Sequence, residues 1–164
     1  MKVAAISGLS GFIGSHLARE LSSKGYSIIR VTQELLYSPK ALNELFMKEK
    51  PEYLFHCAAY GNMSTQKDIA MTIFANIIGT FNMLKESLEV PYKAFINFGS
   101  SSEYGKKFQA MKEEDLLSPE TMYGASKASA THLACAFAEQ YHKPIITMRP
   151  FSVYGPGEAE FRFI

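Results

Sequence analysis

The stretch VAAISGLSGFIGSHLAREL, close to the N-terminus, constrains the fold more than any other feature of the chain. A short apolar run, Lys2 to Ser7, enters three glycines in the spacing G-x-x-G-x-x-G, and a helix-period segment, Phe12 to Lys24, leaves them. Strand, glycine turn and helix in succession form the first half of a β-α-β unit. Gly8 permits a tight turn, Gly11 lets the backbone approach a pyrophosphate, and Gly14 allows close helix–strand packing. The first helical residues, Phe12 and Ile13 with Gly14, present N–H groups and the positive end of the helix dipole to an anion. A purely structural turn accounts for one glycine, hardly for three at this spacing, so dinucleotide binding is expected here.

Apolar runs continue to alternate with helix-period segments, which predicts an α/β fold: a Rossmann-like, doubly wound parallel sheet. Strands are expected at Lys2 to Ser7, Tyr26 to Thr32, Glu52 to Cys57, Tyr92 to Phe98 and Pro144 to Met148. Helices are expected at Phe12 to Lys24, Pro39 to Lys50, Gln66 to Leu88 and Met122 to His142. The segment Gly99 to Thr121 is too long for a simple connector and reads as a functional loop. No repeat or low-complexity linker divides the chain, so residues 1–164 read as one nucleotide-binding domain. After the last strand, RPFSVYGPGEAEFRFI turns through Gly155, Pro156 and Gly157 and ends on aromatics with no evident packing partner. The expectation is the N-terminal part of a longer enzyme, cut where a C-terminal substrate lobe begins.

The usual companion of such a glycine turn is an acid ending the second strand, where it bonds the adenosine ribose. Here that strand reads YSIIRVTQE and the position is held by Thr32. An uncharged end tolerates a 2′-phosphate better than a carboxylate does, and Arg30 is close enough to meet one, although an ordinary solvated strand residue explains Arg30 equally well. Between NAD and NADP, this tilts the expectation toward NADP.

A net charge of +1 on 164 residues gives no electrostatic case for nucleic acid or an anionic membrane surface. No segment approaches eighteen apolar residues, and glycines interrupt the N-terminal apolar run too early for a signal peptide. Cys57 and Cys135 both sit among apolar neighbours, which suits buried reduced thiols and a cytoplasmic protein.

In MYGASKASA, Tyr123 and Lys127 stand four apart at the start of a predicted helix and so share one face. A free phenol titrates near 10 and is a poor acid or base at neutral pH unless a cation stabilises its phenolate, which Lys127 supplies. The run NFGSSSEYG offers hydroxyls at Ser100, Ser101 and Ser102 just past a strand end. A Tyr/Lys pair is commonly a surface pair and a serine run commonly a loop. With the glycine turn, they converge at the carboxyl ends of a parallel sheet, where ligands bind.

Taken together, GLSGFIGSHLA, FHCAAYGN, NIIGTFNML, FGSSSEYG, YGASKA and RPFSVYGPGE resemble the extended short-chain dehydrogenase/reductases, the NAD(P)-dependent epimerase/dehydratase family acting on nucleotide sugars. The resemblance runs nearly from Met1 to Ile164. It implies that Tyr123 is the general acid/base and that Lys127 lowers its pKa and bonds the nicotinamide ribose. The hydroxyl holding the sugar oxygen falls on Ser100, or on Ser101 if the loop carries a one-residue deletion. Ala58 and Ala59 match backbone passing the cofactor, Asn76 a helix asparagine supporting the site, and Arg149 with Pro150 the segment near the nicotinamide. His56 reads as a satisfied core histidine. Glu103 lies near the place of a dehydratase acid but one position late, with Ser102 where the acid belongs.

The resemblance further implies a nucleotide-sugar substrate and a homodimer built on the helices Gln66 to Leu88 and Met122 to His142. Epimerase and 4-ketoreductase both remain open. Two departures stand out: Thr32 replaces the acid, and the family's extra helix and strand between that strand and Pro39 are missing, with Leu35 and Ser38 where acids would be expected. They motivate an alternative, a non-catalytic nucleotide-binding module retaining the Rossmann half.

Overall fold

The computed structural model describes residues 2–158; the terminal aromatics Phe161 and Phe163 lie outside the described residues. Five parallel strands form one sheet: β1 (Lys2–Ser7), β2 (Tyr26–Val31), β3 (Tyr53–His56), β4 (Ala94–Phe98) and β5 (Ile145–Met148), in the order β2-β1-β3-β4-β5. The missing helix-and-strand insertion leaves β2 as an edge.

Helix α1 (Phe12–Ser23) packs on β1 and β2. The layer on the other face contains α3 (Pro39–Glu49), α5 (Gly79–Ser87) and α6 (Met122–Tyr141), with α3 against α5 and α5 against α6. Between that layer and the sheet lies the core, including Phe46, Leu54, Met83, Leu84 and Phe95, all fully buried. On the face carrying α1, the β5 residues Ile146 and Met148 stay about half exposed.

Three departures from the sequence expectation affect the site. The strand expected through Thr32 stops at Val31, because Thr32 caps a four-residue helix, α2 (Gln33–Leu36), accepting from the Leu35 amide at 3.4 Å. The single helix expected over Gln66 to Leu88 begins at Ile69 as α4 (Ile69–Ile73), passes through a π-helical turn at Phe74–Ile78, and continues as α5. Cys135 is exposed on α6 rather than buried, and Cys57 is only partly buried; both thiols are free.

Candidate active site

β1 feeds β2 on one side, and the chain then returns past β1 to place β3 on the other. This reversal opens a crevice at the carboxyl ends of β1 and β3. The glycine turn sits in it. Gly8 has φ +69°, and a Cβ there would come within 2.6 Å of the Ala58 nitrogen, so the turn and the end of β3 approach as only glycine allows. The Gly11 amide donates to Gly8 O at 3.0 Å. No side chain caps α1 and no acid stands in its first turn, so the amide donors there are left for a ligand in the crevice. This donor set fits a pyrophosphate.

Gly8, Gly11, Phe12, Ile13 and Gly14 line a cavity of about 710 Å³. Its opposite wall carries Ser100, Ser101, Tyr123, Lys127 and Pro150. The structure therefore brings the glycine turn, the serine run and the Tyr/Lys pair into one space. Thr121 caps α6 by accepting from the Gly124 amide at 3.0 Å. A Cβ on Gly124 would meet Ser102 O at 2.5 Å and Pro119 at 3.1 Å, so the glycine after Tyr123 lets α6 press onto the serine turn.

The serine turn is a 3₁₀ segment, Ser101–Tyr104, capped by Ser100. Glu103 lies behind it, fully buried, and is absent from the cavity wall. One carboxylate oxygen accepts from the Ser100 amide at 2.7 Å and the other from the Thr131 hydroxyl of α6 at 2.8 Å. Burial raises its pKa against the pull of those hydrogen bonds and of the Lys127 and Arg149 charges. Glu103 is thus a strut between Ser100 and α6, not an acid aimed at a substrate. Of the loop Gly99 to Thr121, the cavity uses only residues 99–102. The Ser101 amide donates to Pro150 O at 3.1 Å, fixing the Arg149–Pro150 segment against the same turn.

A row of polar side chains runs beneath the cavity. Ser7, His56, Asn97 and Thr147 occupy matching registers on β1, β3, β4 and β5. His56 is fully buried, with Nδ1 2.7 Å from Ser7 Oγ and Nε2 2.9 Å from Thr80 Oγ1. Thr80 Oγ1 donates to Asn76 O at 2.6 Å, so it accepts from Nε2–H; Nδ1 then accepts from Ser7. Every partner is assigned for a neutral ring. Burial, with the Lys127 charge adding to it, holds the imidazole down at about 3. His56 is the core histidine expected.

Asn76, in the π turn, is fully buried and lies behind the cavity rather than on its wall. Its amide bonds both the nitrogen and the oxygen of Tyr60 at 2.8 Å, and donates to Ser126 Oγ at 2.8 Å. Ser126 Oγ donates in turn to Tyr123 O at 2.8 Å.

Lys127 is 2% exposed and its pKa falls to about 8, chiefly through burial, with the Glu103 charge pulling it back up. Near neutral pH it still carries its proton, in a site where water screens little. Burial pushes the Cys57 thiol to about 12, which excludes it as a nucleophile although it lines the cavity.

A second cavity of about 480 Å³ continues past the glycine turn, sharing Gly8, Gly11, Cys57 and Ala59 with the first. Ala58 and Thr32 line this one, together with Arg30, Gln33 and Glu34. Two adjoining cavities straddling an anion-binding turn have the elongated form that a dinucleotide needs. Among the described residues, no cluster of three His, Cys, Asp or Glu side chains could hold a metal ion.

The model of the NAD dependent epimerase/dehydratase family matches residues 4–163. The chain belongs to this family. It is 30% identical to a dTDP-D-glucose 4,6-dehydratase of Dictyostelium discoideum, over 92% of this chain and 44% of that protein. Among solved structures, it resembles a UDP-glucose 4-epimerase of Thermotoga maritima with UDP-glucose (TM-score 0.87, 26% identity, 96% of this chain and 58% of that one). It likewise resembles a UDP-glucuronic acid 4-epimerase of Bacillus cereus in complex with NAD (TM-score 0.83, 27% identity, 94% and 58%). The chain spans about half the length of the curated relatives it matches.

For this epimerase/dehydratase family member, sequence reasoning missed part of both walls. Asn62, Met63 and Gln66 border the larger cavity, on a turn where Gln66 Oε1 accepts from the Gly61 and Met63 amides at 2.9 and 3.3 Å. No local pattern announces them. Glu34 on the smaller cavity was findable: a threonine followed within one turn by an acid is a helix-start signature. Among the described residues, no helix is long and apolar enough to cross a membrane.

Proposed function

We propose that residues 1–164 form a single NAD(P)-binding Rossmann domain, the N-terminal part of a longer nucleotide-sugar epimerase or 4-ketoreductase. What carries the reading is that Tyr123, Lys127 and Ser100 open onto the same cavity as the glycine turn. In this reading Tyr123 takes the proton from a sugar hydroxyl as its carbon becomes a carbonyl, and returns it on reduction. Lys127 holds the phenolate by charge and bonds the nicotinamide ribose. Ser100 Oγ accepts from the Ser102 amide at 3.1 Å, which leaves its own proton to donate to the reacting sugar oxygen. Ser101 flanks the sugar on the same turn.

A bound nicotinamide dinucleotide would supply the hydride acceptor and donor. Gly8, Gly11, Phe12, Ile13 and Gly14 would hold its pyrophosphate, Ala58, Ala59 and Thr32 its adenosine half, and Pro150 its nicotinamide end. Asn76 acts from behind the wall. Two copies pair through the exposed apolar stripe on α4, α5 and α6, and the protein works in the cytoplasm.

Calorimetric titration with NADH and NADPH, followed by nicotinamide absorbance in the presence of UDP- and dTDP-hexoses, tests the reading. Tyr123→Phe is expected to keep cofactor binding and Lys127→Ala to weaken it, while each lowers sugar-dependent redox change by at least about 100-fold. Redox change indifferent to Tyr123→Phe would sink the assignment.

A further inference from the structure

The two carboxylate oxygens of Glu103 reach different elements. One accepts from the Ser100 amide, just past β4, at 2.7 Å, and the other from the Thr131 hydroxyl on α6 at 2.8 Å. Both oxygens act as acceptors, the arrangement suited to an ionised carboxylate. Thr131 follows Lys127 by four residues, so the two share one face of α6. The carboxylate is therefore seated one helical turn along α6 from Lys127, behind the cavity wall that the lysine lines. Room for it comes from Gly99, where a Cβ would collide with Glu103 Oε1. Other charged and titratable groups nearby are engaged elsewhere or uncharged. Arg149, the second cation acting on Glu103, lies over the Tyr104 ring at 4.7 Å and donates to Glu113 O at 3.0 Å. His56 and Cys57, which interact with Lys127 from the end of β3, are both neutral near neutral pH, the ring held down at about 3 and the thiol up at about 12. Tyr123, on the Lys127 face of α6, is the group that the ammonium serves.

We infer that Glu103 is a positioning residue for the acid/base pair, the buried counter-charge of the Lys127 ammonium, tied by the same carboxylate to the Ser100 turn and to α6. The inference rests on the acid/base reading of Tyr123 and Lys127. Burial strips both groups of water, so their attraction is screened little and each holds the other in its charged form. Burial alone opposes a proton on a lysine that is 2% exposed, and the Glu103 charge is the first influence working against it. Without that charge Lys127 gives up its proton at a lower pH, and the Tyr123 phenolate loses its support on the alkaline side first. Replacing the acid therefore changes how activity depends on pH, whereas a purely structural strut lowers activity alike at every pH.

NMR titration of the whole chain tests the coupling without any substrate, following the Lys127 ε-carbon and the Glu103 carboxyl carbon. Glu103→Gln keeps the side-chain shape and is expected to lower the Lys127 midpoint by at least about one pH unit. Lys127→Met raises the Glu103 midpoint by the same amount, because coupling between two sites is reciprocal, and this arm does not depend on whether Glu103→Gln folds. Sugar-dependent redox change with UDP- and dTDP-hexoses reads the consequence. The kcat of Glu103→Gln is expected within about threefold of native near pH 6, where Lys127 is protonated in both, and at least about fivefold lower near pH 8. A Lys127 midpoint unmoved by Glu103→Gln, or a Glu103 midpoint unmoved by Lys127→Met, overturns the inference while leaving the acid/base reading intact, as does an equal loss of rate at both pH values. Coupled midpoints in a native chain that shows no sugar-dependent redox change overturn the acid/base reading itself, and the positioning role with it.

Discussion

The side-chain amide of Asn76 donates to the Ser126 hydroxyl across 2.8 Å, joining the π turn to the helix that carries Tyr123 and Lys127. Ser126 passes the connection to the Tyr123 carbonyl, while Asn76 also clamps both backbone polar atoms of Tyr60. The insertion of one residue into the helical repeat at Phe74–Ile78 is what turns Asn76 inward at this height. A buried group stripped of its partner costs about 1–3 kcal/mol. Asn76→Ala leaves the Tyr60 N–H and C=O without this partner, while Ser126 keeps its bond to Tyr123 O, and is expected to lower stability by about 2–4 kcal/mol in urea denaturation, with an unchanged m-value. Ser126→Ala removes fewer and costs about 1 kcal/mol. A loss below about 1 kcal/mol for Asn76→Ala would show that this joint does not hold α6 in place.

The proposed pairing of two copies rests on a stripe that this chain leaves uncovered. Ile69, Ile73, Phe74, Ile78 and Phe81 are each between 37% and 55% exposed. Phe81 meets Phe137 edge-on at 6.1 Å, and Phe137 meets Tyr141 at 5.2 Å, extending the stripe onto α6. Contiguous exposed apolar surface of this kind marks an interaction site. Sedimentation velocity is expected to give a dimer mass, and Ile73→Glu with Ile78→Glu a folded monomer. A monomer mass for the native chain would refute the pairing.

The five strands were legible because parallel strands read as apolar runs, and each begins and ends within two residues of its expected place. The convergence of the glycine turn, Ser100, Tyr123 and Lys127 was legible too, since carboxyl ends of strands share one edge of the sheet. What the sequence concealed is set by tertiary contact. The π turn depends on Asn76 finding Tyr60 and Ser126, partners 16 and 50 residues away. Glu103 reads as a possible acid until its oxygens are seen bonded to Ser100 and Thr131. Cys135 was misplaced because α6 carries small residues on several faces, and periodicity then gives no direction to any one of them.

Acid sensitivity should trace to His56. Its ring is fully partnered as the neutral form: Nδ1 accepts from Ser7, and a second proton would face a donor. The folded ring holds off protonation until about 3, whereas the unfolded chain takes the proton near 6.5. Between those values the unfolded state binds more protons, so this contribution is complete above about 6.5 and is lost as pH falls, at up to about 1.4 kcal/mol per pH unit. Glu103 opposes it at lower pH, because its folded carboxyl is raised and its protonation favours the fold. Because that uptake begins above the ordinary Glu value, the clean window lies just below the ordinary His value, before Glu103 starts to take its proton. Urea denaturation across that window should show a His56→Gln variant that is less stable at neutral pH but has the flatter pH dependence. Parallel slopes for the two proteins would remove His56 as the cause.

Lys127 makes the opposite bargain with the fold. A lysine at 2% exposure whose pKa drops from 10.5 to about 8 is carrying charge where the structure resists it. At about 1.4 kcal/mol per unit, keeping it protonated near neutral pH costs about 3 kcal/mol against the unfolded chain. Glu103 offsets part of this, yet burial remains the larger effect. A residue of similar length without the charge should therefore stabilise the domain. Lys127→Met is expected to raise the urea midpoint, corresponding to a gain of about 1–3 kcal/mol, while abolishing any turnover that depends on Tyr123. That combination, more stable and inactive, is what a group retained for chemistry against the interest of packing produces. If Lys127→Met instead unfolds more easily, the lysine serves the core through its stem and its contacts, and the acid/base role proposed for the Tyr123–Lys127 pair loses its energetic argument.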